Sequence, residues 1–263
     1  MRIIAVALTM LTMTGPAAAE TASLYAAGSL KAALTDVAKA FETASGNKVE
    51  AKFGPSGLLR DEIAGGAAAH VFASANMEHP KSLHETGKSG PVTMLARNRL
   101  CALIRPGLNV GSETLLTTML EPQIKVGTST PKADPSGDYA FEVFARAEKL
   151  KPGAKAALEA KALKLTGAAD SAKPPAGRAV YGWHVAEGRA DIFLTYCTNV
   201  IDAQRQNAGQ QMVALPDDLA VGADYGLTVI SGAPPTAGKF AQFILSPAAQ
   251  KILAGYGFAP PAH

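Results

Sequence analysis

Leu24-Tyr25-Ala26-Ala27-Gly28-Ser29-Leu30 reads as a strand, a tight turn and a helix start within seven residues. The apolar run Leu24–Ala27 suits a short strand, and Leu30, Leu34, Val37 and Phe41 then recur at helical spacing. A serine that opens a helix directly after a strand places a hydroxyl and several unpaired backbone N–H groups at one point. The aligned peptide dipoles add about half a positive charge there, so a small anion can be held by neutral groups alone. The pattern recurs once. Val49-Glu50-Ala51-Lys52-Phe53 alternates as a strand, Gly54-Pro55-Ser56-Gly57 follows, and Leu58 to Ile63 returns to helical spacing.

Strand and helix signals keep alternating. Val71-Phe72-Ala73 predicts a third strand and Glu78–Glu85 a helix. A second series opens at Arg99-Leu100-Cys101-Ala102-Leu103-Ile104, a strand that stops at Arg105-Pro106-Gly107. Strands are expected at 124–127, 191–196 and 227–230. Helices are expected at 139–149, 155–162, 178–187, 237–245 and 247–254. Pro174-Pro175 and Pro234-Pro235 mark loops. The alternation predicts an α/β fold of two lobes, each a mixed, mostly parallel sheet flanked by helices, with the ligand in the cleft between them. Residues 20–97 with 232–263 form the expected first lobe and 98–231 the second, hinged near 98–105 and 224–231.

Composition narrows the function classes. Arg2, the apolar run Ile3–Leu11 and Ala17-Ala18-Ala19 before Glu20 predict a signal peptide over residues 1–19 and a periplasmic protein. No cysteine stands directly after that cleavage point, and no later stretch approaches the ~20 apolar residues of a membrane span. The 25 Lys and Arg, less Arg2, face 22 Asp and Glu without any basic cluster, which argues against nucleic-acid binding. Cys101 and Cys197 are an even pair in an oxidising compartment, compatible with a disulfide or with two buried thiols.

No catalytic constellation stands out. The five histidines include no H-E-x-x-H pair, and neither G-x-S-x-G nor a phosphate loop of the G-x-x-x-x-G-K-[ST] type occurs. Singly, Ser29 reads equally as a plain N-cap, Ser56 as turn chemistry and Tyr196 as a core tyrosine.

Jointly they resemble a known family, the periplasmic molybdate-binding proteins of ABC importers, within the type II solute-binding proteins. The resemblance covers nearly the whole mature chain. It is carried by Ala-Gly-Ser-Leu at 27–30, Gly-Pro-Ser-Gly at 54–57, Val71-Phe72-Ala73-Ser74-Ala75-Asn76 and Pro131-Lys132-Ala133-Asp134-Pro135-Ser136-Gly137-Asp138-Tyr139-Ala140. The last fits the family's Pro-x-x-x-Pro-x-Gly-x-Tyr-Ala pattern. The resemblance implies that Ser29 and Ser56 bind the oxyanion by hydroxyl and N–H, Tyr196 by its phenol, Ser136 by its backbone N–H with its hydroxyl either adding a donor or facing solvent, and Arg178 (or Ala179) by backbone N–H. It implies a monomer with molybdate or tungstate as transported ligand, no cofactor and no direct protein–metal bond. The implied partners are a permease and its ATPase, which dock the closed form.

Molybdate and tungstate are tetrahedral dianions without a proton at neutral pH, so a matching site offers only donors. Phosphate usually keeps a proton and asks for an acceptor such as a carboxylate. Asp134 and Asp138 flank Ser136, and a carboxylate facing the cleft repels a dianion. Sulfate or another oxyanion is the alternative ligand, with an enzyme on the same fold behind it. Ferric ion would want clustered tyrosines and carboxylates, and no Tyr-Tyr pair exists.

Overall fold

A computed structural model describes residues 19–261. The expected leader, apart from Ala19, lies outside the described residues. The elements in chain order are β1 (Thr21–Ala27), α1 (Lys31–Ser45), β2 (Lys48–Gly54), α2 (Ser56–Ala64), β3 (Val71–Ser74), α3 (Glu78–Glu85), β4 (Thr93–Ile104) and α4 (Leu115–Leu120). They continue with β5 (Val126–Ser129), α5 (Pro135–Leu150), α6 (Ala154–Lys161), β6 (Leu163–Thr166), α7 (Val180–Ala186), β7 (Ile192–Tyr196) and α8 (Cys197–Gln206). The chain closes with β8 (Gln211–Ala214), β9 (Gly222–Val229), α9 (Pro235–Ile244) and α10 (Pro247–Gly255).

The fold is α/β, a mixed, curled sheet flanked by helices. Its strand order is β2-β1-β3-β9-β4-β7-β5-β6, with β8 also on β4. β1 pairs parallel with β2 and β3, and β5 parallel with β6 and β7, as crossover helices dictate. The antiparallel pairs gather around the two long strands, β4 and β9. β4 changes partners along its length. Thr93–Arg99 pairs with β9, whereas Leu100–Ile104 pairs with β7 on one side and β8 on the other. Two halves of the sheet therefore meet at Arg99 and Leu100.

Each half is covered for the reason the periodicity gives. α1 buries Ala33, Leu34, Val37, Ala38 and Phe41, one face at helical spacing. The Phe41 ring meets Phe240 at 5.0 Å and Phe243 at 5.5 Å, which docks α9 onto α1. Gly46, at φ 72°, ends the helix in the left-handed conformation and frees the chain to turn into β2. In the second half α5 buries Ala140, Val143, Phe144 and Ala147.

Several boundaries differ from expectation. α5 begins at Pro135, four residues before the expected Tyr139, because Asp134 caps it and Pro135 fills the first helical position. α7 begins at Val180, two residues after the expected Arg178. β5 starts at Val126 instead of 124, and β4 and β9 start well before the expected 99 and 227. Pro235 opens α9 rather than sitting in a loop. α4, β6, α8 and β8 have no counterpart in the sequence reading. Cys101 and Cys197 are bonded, with Cα atoms 4.9 Å apart across a sequence separation of 96, which ties the head of α8 to β4.

Candidate functional site

The strand ends of both halves face one cavity of about 810 Å³. Ser29 and Ser56 line it from the first half, and Asp134, Arg178, Tyr181 and Tyr196 from the second. Of the five expected ligand residues, four are thus brought to one space. Ser136 is fully buried beside it and does not line it.

The two serines are set up alike. Ser29 stands in the short 3-10 turn Gly28–Leu30 that leads into α1, and its Oγ lies 2.9 Å from the Tyr225 phenol. That phenol accepts from Asn98 Nδ2 at 3.3 Å, and the same amide nitrogen donates to Thr198 Oγ1 at 2.9 Å. The Asn98 amide is oriented by Arg99 N–H, which donates to Oδ1 at 2.9 Å. Either hydroxyl can donate in the Ser29–Tyr225 pair, and when the phenol donates to Ser29 Oγ the serine proton is left for the cavity. Ser56, at the first position of α2, accepts from Ala75 N–H at 3.1 Å. Its proton is likewise left free. The Tyr196 hydroxyl has only a long contact, 3.4 Å to Ala75 O, and so can turn to a better acceptor.

One contact closes an edge of the cavity. Gly57 N–H donates across the halves to Ala133 O at 2.9 Å. Lys132 adopts φ 68°, uncommon for a residue with a side chain, and its own N–H donates to Asp138 Oδ1 at 2.8 Å. A Cβ at Gly57 would stand 2.3 Å from Lys132 O and 2.8 Å from Ala133 O, so only glycine lets the loops approach this closely.

The second wall departs from a donor-only site. Asp134 caps α5, accepting Ser136 N–H at 3.1 Å and the Ser129 hydroxyl at 2.6 Å. The Ser136 N–H, expected to meet the ligand, is therefore used by this carboxylate. Arg178 N–H is also occupied, by Pro175 O at 3.1 Å, and Ala179 N–H by the Gln206 side chain at 2.8 Å. Unpaired N–H groups begin at Val180, where α7 starts. Burial pushes the Asp134 carboxyl above its usual range, and the Ser129 and Ser136 hydrogen bonds oppose that rise. Burial also raises the Tyr196 and Tyr225 phenols, so both are protonated donors at neutral pH.

Sequence reasoning missed Asn98, Tyr225, Thr198 and Tyr181, which carry the second layer of contacts. Asn98 and Tyr225 sit in the alternating stretches of β4 and β9 and carry no local mark of their role. Asp134 had a signal, since Asp-Pro is a helix-start pair.

The family model for bacterial extracellular solute-binding proteins matches residues 22–259. This chain belongs to the bacterial extracellular solute-binding protein family. An uncharacterized protein of Pasteurella multocida (strain Pm70) is 34% identical over 242 residues, covering 91% of this chain and 99% of that one. Among solved structures, the Azotobacter vinelandii periplasmic molybdate-binding protein superposes with a TM-score of 0.73 at 20% identity, over 92% of this chain and 100% of that one. The Mycobacterium tuberculosis sulfate-binding protein SubI gives 0.75 at 19% identity, over 92% and 87%. At such identities the likeness speaks for the fold. The family is one of solute-binding proteins rather than enzymes, and this protein is a solute-binding protein. No helix among the described residues is long and apolar enough to cross a membrane.

Proposed function

We propose that this solute-binding protein takes a tetrahedral oxyanion, molybdate or tungstate in the first place, into the cavity between the halves of its sheet. It delivers the anion in the periplasm, as a closed monomer, to a membrane permease. The observation that carries this reading is the matched pair of serines. Ser56 accepts from Ala75 N–H and so has its proton to give, and Ser29 shares a hydrogen bond with the Tyr225 phenol that leaves its proton to give when the phenol donates. Tyr196 adds a third hydroxyl donor, and the N–H groups heading α1 and α2 add more. Hydrogen bonds to a charged group contribute about 1.5–3 kcal/mol each, so several are needed against the cost of association. Ser136 acts in this reading by holding Asp134, and the donor expected at Arg178 falls to Val180 and Tyr181.

Opening and closing follow from the same frame. The lobes are residues 20–97 with 232–263, and 98–231, and they turn about β4 and β9. The change of partners at Arg99 and Leu100, two residues from the expected boundary, supports that division.

A second reading has its own support. Asp134 is an acceptor in the cavity, and about 810 Å³ exceeds the needs of one tetrahedral anion, since a water molecule takes about 30 Å³. Both observations favour a ligand that carries a hydrogen or a larger body, such as phosphate or a phosphate ester. Calorimetric titration of the mature protein with molybdate, tungstate, sulfate and phosphate decides. Tight one-to-one binding of the first two alone is the expected result, and a preference for sulfate or phosphate overturns the ligand while leaving the transport role.

A further inference from the structure

Asp134 is an acidic group that lines the cavity together with the donors Ser29, Ser56 and Tyr196. The Gly57–Ala133 hydrogen bond brings residues 56–57 against 133–134, and Ser56 and Asp134 line the same cavity. No Lys or Arg forms an ion pair with Asp134 among the described residues. Lys31, Lys173 and Arg178, and the carboxylates Asp36 and Asp202, line the same cavity without pairing to Asp134, and the groups that act on it most directly are neutral or acidic. They are Ser129 on β5, Ser136 and Asp138 on α5, Tyr181 on α7, Tyr196 on β7 and Tyr225 on β9. A dianion next to an uncompensated, ionised carboxylate in a site partly closed to water is strongly disfavoured. A proton between the two oxygens turns that repulsion into a charge-assisted hydrogen bond.

We infer that Asp134 is the residue that sets ligand choice, because the site holds its tetrahedral anion together with one proton shared between the anion and the Asp134 carboxylate. This rests on the oxyanion reading and names the class within it. Monohydrogen phosphate brings the proton itself and binds the ionised carboxylate. Molybdate and sulfate carry none at neutral pH, so the carboxylate must draw one from solvent as they bind. Charge and protons balance in both cases. The residue works by accepting or donating that hydrogen, held in place by Ser129 and Ser136.

The test is calorimetry with molybdate, sulfate and inorganic phosphate between pH 6 and 9, in buffers of different ionisation enthalpy, on the wild type and Asp134→Asn. Asparagine keeps the cap and the acceptor for Ser136. Wild type should take up about one proton per molybdate or sulfate, its affinity for them falling up to about tenfold per pH unit. Any phosphate binding should show no such fall at alkaline pH. Asp134→Asn should bind molybdate and sulfate without proton uptake and with little pH dependence, so that its affinity for them at pH 9 exceeds that of the wild type. Binding of molybdate or sulfate to wild type with no proton taken up overturns the role of Asp134 and leaves the oxyanion reading intact. The same proton count in Asp134→Asn does so too. Silence of both proteins toward all three anions overturns the oxyanion reading and this one with it.

Discussion

The Ser29 hydroxyl and the Tyr225 phenol lie 2.9 Å apart, and Tyr225 in turn is held by Asn98. A ligand donor is thus aimed by a strand far away in sequence. Tyr225→Phe leaves Ser29 in place but unaimed, and it removes an acceptor from the buried Asn98 amide. Anion affinity should fall about tenfold, the worth of one weakened hydrogen bond, with about 1–3 kcal/mol of stability lost as well. Titration beside a thermal melt checks both; full affinity would mean that Ser29 needs no such aiming.

Tyr196→Phe removes a donor without changing the packing of the ring, whose edge meets Tyr139 at 6.2 Å. Binding should weaken about ten- to a hundredfold. Unchanged affinity in a folded variant would take Tyr196 out of the site.

Gly57→Ala puts a methyl group against two backbone carbonyls that have no side-chain freedom to yield. Overpacking of this sort costs about 1–3 kcal/mol, here charged to closure, so affinity should drop about ten- to a hundredfold. Small-angle scattering with saturating anion should show a larger radius of gyration than wild type. An equal radius and equal affinity would show that the contact is not needed for closure.

Acid should destabilise the fold through two histidines. Burial, with the positive charge of Arg60 helping, holds His79 down to about 4, and burial with Arg189 does the same for His184. Both are neutral in the folded chain at pH 7, whereas an unfolded histidine takes its proton near 6.5. The stability they contribute is therefore complete above pH 6.5 and lost as pH falls toward 4. At pH 5 the loss should be about 2 kcal/mol for each. Urea midpoints at pH 7 and pH 5 measure it, and His184→Gln should flatten part of the difference.

Replacing both Cys101 and Cys197 by serine should cost on the order of 4 kcal/mol by the chain-entropy model for so long a loop. Because Cys197 directly follows Tyr196, the loss should appear in anion affinity too. Denaturation with and without a reductant reports the first effect, and a wild type indifferent to reductant would contradict it.

What the sequence could show was local. The step from β1 through Ser29 into α1 was legible because strand, turn and helix signals adjoin, and the same holds for Ser56. The start of α5 was misjudged although Asp134-Pro135 marks it, since apolar spacing becomes regular only further on. α8 escaped because it opens on Cys197-Thr198-Asn199, residues with weak helix preference, and its helix is fixed by burial of Cys197, Val200 and Ala203. The Asn98–Tyr225–Ser29 chain joins residues brought together only by sheet pairing. Asp134 was readable as an acid near the site, but its orientation depends on Ser129 and on the cap.

Hydrogen bonds from Gly57 to Ala133, Tyr196 to Ala75 and Asn98 to Thr198 join the two halves at the cavity between uncharged groups, and the Arg205 guanidinium lies over the Tyr256 ring across the halves at 5.4 Å. No ion pair among the described residues spans the halves. Salt screens charges and leaves neutral hydrogen bonds nearly untouched. The hydrogen-bonded part of the clasp should therefore hold nearly equally in dilute and concentrated surroundings, an advantage for a member of an extracellular solute-binding family.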